Sequence, residues 1–336
     1  MVRFGICGCG GFVEKAVLPA MANVNNAEVL AVFDSNKETL ERVCGKFGIH
    51  NKCYSFEEML EIKDIDVIYI ASPNVFHKEQ AIAAAKARKH VFCQKPMAMN
   101  AAECIEMIKA CRENNVKMGI GFCYRFQGAQ ELAREFVQNR VIGDVTYIYM
   151  SFNLAGYNPK TVGWRCNPHM SGGGPLMDIA PHLIDLAVYL LDDRVESVMA
   201  IVRPEKTEDE IELDAQVLLQ FSNGAVVSID VSFVRGNIHN YTIVGDRGEI
   251  HAWGTMCWNN KNPDIGKGRM IVKKGFESKD IKFETEEHIE KEIRLYCNAI
   301  ENYETTPVSG EAGLHVQKVI DAIYESGRAG KKIEVK

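Results

Sequence analysis

The first third of the chain alternates short apolar runs with helix-period segments. Residues 2–7, 29–33, 67–71, 91–93 and 118–122 are mostly apolar, and residues 37–47, 79–87 and 100–113 between them read as helices. Asn100 with Glu103 has the residue types of an N-cap and its reciprocal partner. Short strands without polar alternation are buried on both faces. Alternation with helices then predicts a doubly wound parallel sheet.

The pattern changes after Phe122. A helix over 130–139 leads into an aromatic strand over 145–152. The glycines 172–174 precede a helix over 176–191. Strands follow at 195–202, 214–221, 225–231, 241–244 and 249–252, with a hairpin signal at Ser222-Asn223-Gly224. Helices over 289–302 and 314–326 close the chain. This predicts an α/β domain over 1–122 and an α+β domain over 123–336 with a mainly antiparallel open sheet. The last helix can pack back on the first domain. Helices of one chain cover one face of such a sheet, so a homodimer or homotetramer packed through the other is expected.

Composition narrows the class. Of 336 residues, 46% are hydrophobic and 25% charged, and the net charge is -6. That balance favours neither nucleic acid nor an anionic membrane as partner. The chain opens on a strand without a leader pattern. Eleven cysteines without a C-x-x-C pair, several in apolar runs, fit a reducing cytoplasm and no zinc site.

Candidate chemistry begins at the first turn. Gly8-Cys9-Gly10-Gly11-Phe12-Val13 follows strand one and opens a helix, and Asp34 ends strand two. This is a dinucleotide-binding pattern with Val13 in the third glycine position. The first glycine permits the turn, the second lets backbone approach a pyrophosphate, and the helix start offers free N–H groups. Val13 is expected to push helix and strand slightly apart. Asp34 suits ribose hydroxyls and repels a 2′-phosphate. No arginine follows it, so NAD is expected over NADP.

Asp178 and His182 are four apart, which places them on one face of the expected helix, with Asp185 continuing the stripe. An imidazole exchanges protons near neutral pH. Singly, Lys95 also reads as a surface lysine, His182 as a satisfied helix histidine and Asp178 as a helix-start carboxylate. The Asp178, His182 and Asp185 stripe also has metal-ligand spacing, but lysine and cofactor motifs already supply a mechanism, so no metal is expected. Tyr124, Arg125, Trp164, Arg165, Asn167 and His169 are secondary candidates. Aromatic faces and guanidinium groups suit sugars, though Trp164 and Arg165 read equally as a packing pair.

Together, the glycine turn, Ser72-Pro73-Asn74, Cys93-Gln94-Lys95-Pro96 and the segment from Gly172 to Asp185 resemble the glucose–fructose oxidoreductase / inositol dehydrogenase / rhizopine catabolism (Gfo/Idh/MocA) family. The resemblance spans essentially the whole chain. It implies an NAD(P)-dependent oxidoreductase acting on a hydroxyl or keto carbon of a sugar, cyclitol or relative. It implies Lys95 and His182 at the reacting carbon and Asp178 on a substrate hydroxyl. Tyr124, Arg125, Trp164 and Arg165 would line the substrate. Gly8, Gly10, Gly11, Phe12, Val13, Asp34, Ser72, Pro73, Asn74, His77, Gln94 and Lys95 would hold the cofactor. Gln94 departs from the family's usual Glu and removes a negative charge beside Lys95. Two alternatives stay open: a glycoside-cleaving enzyme that recycles tightly bound NAD, and a nicotinamide-sensing regulator, which the presence of Lys95, Asp178 and His182 disfavours.

Overall fold

The computed structural model of the chain describes residues 1–154, 163–256, 268–283 and 287–336. It divides into two compact units, Met1–Cys123 with Glu287–Leu314, and Tyr124–Glu286 with His315–Lys336.

The first unit holds six parallel strands: β1 (Val2–Cys7), β2 (Ala27–Phe33), β3 (Asn51–Cys53), β4 (Val67–Ile70), β5 (His90–Gln94) and β6 (Met118–Gly121). Their order is β3-β2-β1-β4-β5-β6. This is the Rossmann order. It reverses between β1 and β4, where ligands meet the carboxyl ends of such strands. Helices α1 (Leu18–Met21), α2 (Lys37–Phe47), α3 (Phe56–Glu61), α4 (His77–Lys86) and α5 (Ala101–Glu113) connect them. Asn36, Ser55 and Asn100 each accept the backbone N–H three residues on, starting α2, α3 and α5. Glu103 completes a box-like cap by accepting the Met99 N–H at 3.1 Å. The sequence does not announce β3, which is three residues long and carries Asn and Lys.

The second unit contains α6 (Gly128–Gln138), β7 (Val145–Asn153), α7 (Pro168–Ser171), α8 (Pro175–Asp178) and α9 (Ala180–Leu191). Strands β8 (Val195–Arg203), β9 (Asp214–Phe221), β10 (Val226–Ser232), β11 (Ile238–Gly245), β12 (Gly248–Trp253), β13 (Arg269–Lys274), β14 (Glu277–Ile281) and β15 (Ile333–Glu334) complete its sheet. The order is β14-β13-β12-β11-β7-β10-β9-β8-β15. Within β8–β10 and within β11–β14, strands next to each other in sequence pair antiparallel, as expected. β7 enters the middle and runs parallel to β10, so the sheet is mixed. Helix α9 packs on β7, β10 and α6. It buries Ile148 and Met150 of β7, whereas Tyr147 and Tyr149 on the opposite face stay exposed. That face also exposes Met199, Ile201 and Leu218.

Two expectations need correction. The helix over 176–191 is not continuous: α8 ends at Asp178, and the axis bends by 42° between residues 168–178 and 180–191. Pro181 has no N–H for the Met177 carbonyl, and its ring crowds the preceding turn. Asp178 and His182 therefore do not share one helix face. Second, residues 287–314 belong to the first unit rather than the second. Helix α10 (His288–Glu301) presents an apolar face there. Its Tyr296 hydroxyl donates to the Val91 carbonyl at 2.9 Å, and its ring stacks on Phe92 at 4.5 Å. Gly119 makes room for that ring. The last helix, α11 (Gly310–Ala329), starts in the first unit and continues in the second. Among the described residues no single helix is long and apolar enough to cross a membrane.

Candidate active site

In the first unit, the glycine turn sits at the carboxyl end of β1. Gly8 has φ +87°, and a Cβ there would lie 2.8 Å from the backbone of Ala71 and Ser72. Only glycine lets the β1 and β4 turns come this close. Nothing stands within 4 Å of a Cβ built on Gly10 or Gly11, so both backbones face open space. Val13 is buried. The helix opens as a wide π-turn over Val13–Val17 before α1. Asp34, just beyond β2, is tied to this turn: one carboxylate oxygen accepts the Cys9 N–H and the other the Asn36 N–H, both at 2.9 Å.

Ser72, Pro73 and Asn74 follow β4, and the Ser72 hydroxyl donates to Gln80 at 2.6 Å. His77, at the start of α4 and 1% exposed, joins two loops. Its Nε2 lies 2.9 Å from the Ser72 carbonyl and its Nδ1 3.0 Å from the Pro96 carbonyl. Burial pushes this imidazole below its ordinary pKa, so the ring is neutral and donates to one of the two. Gln94 ends β5, with its amide on the Tyr69 hydroxyl at 2.6 Å. Lys95 follows it, half-exposed, before a cis peptide to Pro96.

This half fits a dinucleotide. A turn without side chains, a helix start and a carboxylate at the end of β2 supply room for phosphates and an acceptor for ribose hydroxyls. The residues that would hold it are Gly8, Gly10, Gly11, Phe12, Val13, Asp34, Ser72 to Asn74, His77, Gln94 and Lys95.

The second unit brings most of the remaining candidates together. The Tyr124 ring lies 4.4 Å from that of His182. Trp164 and Arg165 sit on the turn Gly163–Cys166. The Arg165 guanidinium covers the Trp164 ring at 4.6 Å, and its Nε lies 3.8 Å from Asp178. Along residues 179–187 every side chain except His182 is buried. Arg125 makes a two-pronged ion pair with Asp185, Nε to oxygen at 2.9 Å. Burial pushes the Asp185 carboxyl up, against the pull of Arg125. Asp185 thus continues no open polar stripe; it is the buried counter-charge of Arg125. Asn167 caps α7 by accepting the His169 N–H at 3.0 Å, and the His169 side chain is exposed. Among the described residues no group of three or more His, Cys, Asp or Glu could hold a metal ion.

Two residues emerge only from the structure. Tyr69 reads in the sequence as one more strand residue, yet it receives the Gln94 amide. Glu212, one of several acids between Glu208 and Asp214 just before β9, is fully buried and accepts the N–H groups of Gly174 and Leu176, both at 2.9 Å.

Comparison with known proteins agrees with this architecture. An oxidoreductase-family NAD-binding Rossmann model matches residues 2–122, and the family's C-terminal alpha/beta domain matches residues 134–335. The chain is 26% identical to D-xylose 1-dehydrogenase (NADP(+)) 2 of Haloferax volcanii, covering 99% of this chain and 100% of that one. An aldose-aldose oxidoreductase from Caulobacter crescentus, complexed with glycerol, superposes with a TM-score of 0.90 at 26% identity, over 99% of both chains. Levoglucosan dehydrogenase, in complex with NADH and levoglucosan, superposes with a TM-score of 0.86 at 25% identity, again over 99% of both. With both domain models matched along nearly its full length, the chain belongs to the Gfo/Idh/MocA oxidoreductase family.

Proposed function

We propose that this oxidoreductase acts on a secondary alcohol or ketone carbon of a sugar, cyclitol or related polyol, with NAD as the preferred coenzyme. The observation that carries the reading is His182. It is the one side chain of residues 179–187 that reaches solvent, next to Tyr124 and just after Asp178. A carboxylate, a guanidinium and aromatic faces beside an imidazole suit a polyhydroxylated ring. The relatives named above for xylose and levoglucosan support the substrate class.

When bound, the nicotinamide supplies the hydride acceptor or donor. His182 takes the hydroxyl proton during oxidation and returns it during reduction. Lys95 hydrogen-bonds the reacting oxygen, and Asp178 accepts from a substrate hydroxyl. Trp164 and Arg165 cover the sugar, and Arg125 stiffens the base of the site through Asp185. Asp34 supports NAD over NADP, because a fixed carboxylate repels a 2′-phosphate. The reading includes a cytoplasmic setting and a homo-oligomer formed through the open sheet face.

The test is a panel of hexoses, pentoses, sugar acids, cyclitols and glycosides assayed for NAD reduction at 340 nm. Stoichiometric NADH release with a polyol is the expected result. Glycoside cleavage without net NADH would replace this reading with the cofactor-recycling one.

A further inference from the structure

We propose that Glu212 is a positioning residue for the substrate site: from the loop before β9 it fixes the one-turn helix that ends in Asp178. The inference rests on the assignment of Asp178 and His182 to the substrate.

The backbone accounting around α8 is complete. The N–H groups of Met177 and Asp178 bond the Gly174 carbonyl at 3.0 and 2.9 Å. Pro175 has none. The two donors left at this end, on Gly174 and Leu176, both go to one oxygen of Glu212 at 2.9 Å. A single carboxylate therefore satisfies the entire start of the segment, away from solvent. Three residues beyond Pro175 the helix ends at Asp178, and the break at Ile179 turns the chain into α9 and His182.

The two glycines are shaped to this contact. A Cβ on Gly174 would collide with the Glu212 carbonyl oxygen, and one on Gly173 with the Tyr324 hydroxyl. The Tyr324 hydroxyl is buried beside the Glu212 carboxylate, and the Lys206 ammonium lies 5.0 Å over its ring. Glu212 lies outside the segment that binds substrate, so its effect passes through Asp178 and His182. A four-residue helix broken from its successor by a proline has few hydrogen bonds of its own to set its direction, although buried Leu176 and Met177 anchor its side. The buried carboxylate supplies that direction.

The experiment compares Glu212→Ala with Glu212→Gln, which keeps an oxygen acceptor for both N–H groups. Glu212→Ala is expected to lower kcat by about 10–100-fold, the scale of a misplaced reacting group, with a smaller change in KM and unchanged NAD affinity. Glu212→Gln is expected to recover most of the activity. Hydrogen–deuterium exchange, which needs no substrate, is expected to quicken across residues 172–183 in Glu212→Ala and to leave the first unit unchanged. Wild-type kcat in folded Glu212→Ala, a Gln variant no better than Ala, or unchanged exchange over 172–183 would each overturn the proposal. Absence of any polyol oxidation by the wild type would instead sink the substrate assignment, and the exchange experiment would still decide the role of Glu212.

Discussion

The side-chain amide of Gln94 donates a 2.6 Å hydrogen bond to the hydroxyl of fully buried Tyr69. Where the family pattern has a carboxylate, this chain holds a neutral donor next to Lys95. Tyr69→Phe removes the acceptor and is expected to destabilise the protein by about 1–3 kcal/mol, the penalty of an unsatisfied polar group. Gln94→Glu restores the negative charge. A carboxylate can only accept, so Tyr69 must then donate to it. NAD⁺, with its positive ring, is expected to gain about three- to tenfold in affinity relative to NADH, as for a charge pair partly screened by water. Fluorescence titration with both redox forms reads this, and an unchanged ratio means that the charge at position 94 is not felt at the nicotinamide.

The second expectation concerns Asp34. Its two oxygens each accept one backbone N–H, which leaves lone pairs for ribose hydroxyls. NAD should bind more tightly than NADP. Asp34→Ser should weaken NAD by about 1.5–3 kcal/mol, as expected for a hydrogen bond to a charged group, while NADP gains from the lost repulsion. Dissociation constants for both coenzymes with both proteins decide it. Equal or tighter NADP binding by the wild type removes Asp34 from the cofactor assignment.

The sheet of the second unit exposes Tyr147, Tyr149, Met199, Ile201 and Leu218 on the face away from α9. Beside them Arg235 pairs with Asp214 and Asp230, and Arg203 bonds Asp214. An apolar patch bordered by paired charges suits a self-complementary interface. Light scattering at micromolar concentration should give a dimer or tetramer, and Ile201→Asp with Leu218→Asp should shift it toward one chain. A single-chain mass for the wild type would contradict the expectation.

Acid should destabilise the first unit through His288. Burial holds this imidazole at about 3, despite Glu287 lying 3.3 Å away. The unfolded ring titrates near 6.5. Between these values the unfolded chain binds a proton that the folded one refuses, so stability is full above pH 6.5 and falls as pH drops toward 3. At pH 5 the loss from this residue is about 2 kcal/mol, at 1.36 kcal/mol per unit. His288→Gln should flatten the difference between urea unfolding at pH 7.5 and pH 5 by that amount, whatever its effect on absolute stability. An equal slope in both proteins would show that His288 does not carry the effect.

The elements legible in the sequence are those with a local signature. The mostly apolar runs of β1, β4 and β5, the Asn100 cap of α5 and the glycine turn each record a short-range cause. What escaped was set by distant partners. The bend at Ile179 was signalled by Pro181, but the run of Leu and Ile around it masked the break. In the sequence Asp185 continues the polar stripe of Asp178 and His182. Only the fold shows that Arg125, sixty positions earlier, claims it. Glu212 had no local signal, since its partners are backbone N–H groups 36 and 38 residues away. Helix α10 was legible as a helix, but its unit was not, because Tyr296 finds Phe92 across 200 residues.

The last expectation is the proton-handling pair. If His182 and Lys95 act on the reacting oxygen, each alanine variant should lower kcat by about 10²–10⁴-fold, the range of positioned acid–base groups. NAD affinity should change little in His182→Ala and modestly in Lys95→Ala, because Lys95 adjoins the cofactor segment. The double variant should fall far short of the product of the single losses, since groups that act as one unit are not additive. Asp185 is unsuitable as a neutral control. Its removal leaves Arg125 buried without its counter-charge, and breaking such a pair costs about 3–5 kcal/mol. Asp192, at the exposed end of α9, is the better control, because its partner Arg134 lies on the α6 surface. Asp192→Asn should keep the wild-type kcat. The readout is steady-state kinetics on a substrate from the polyol panel, with folding checked by circular dichroism. A folded His182→Ala that keeps near wild-type kcat would make the histidine structural. Its solvent exposure beside Tyr124 would then belong to substrate packing rather than proton transfer.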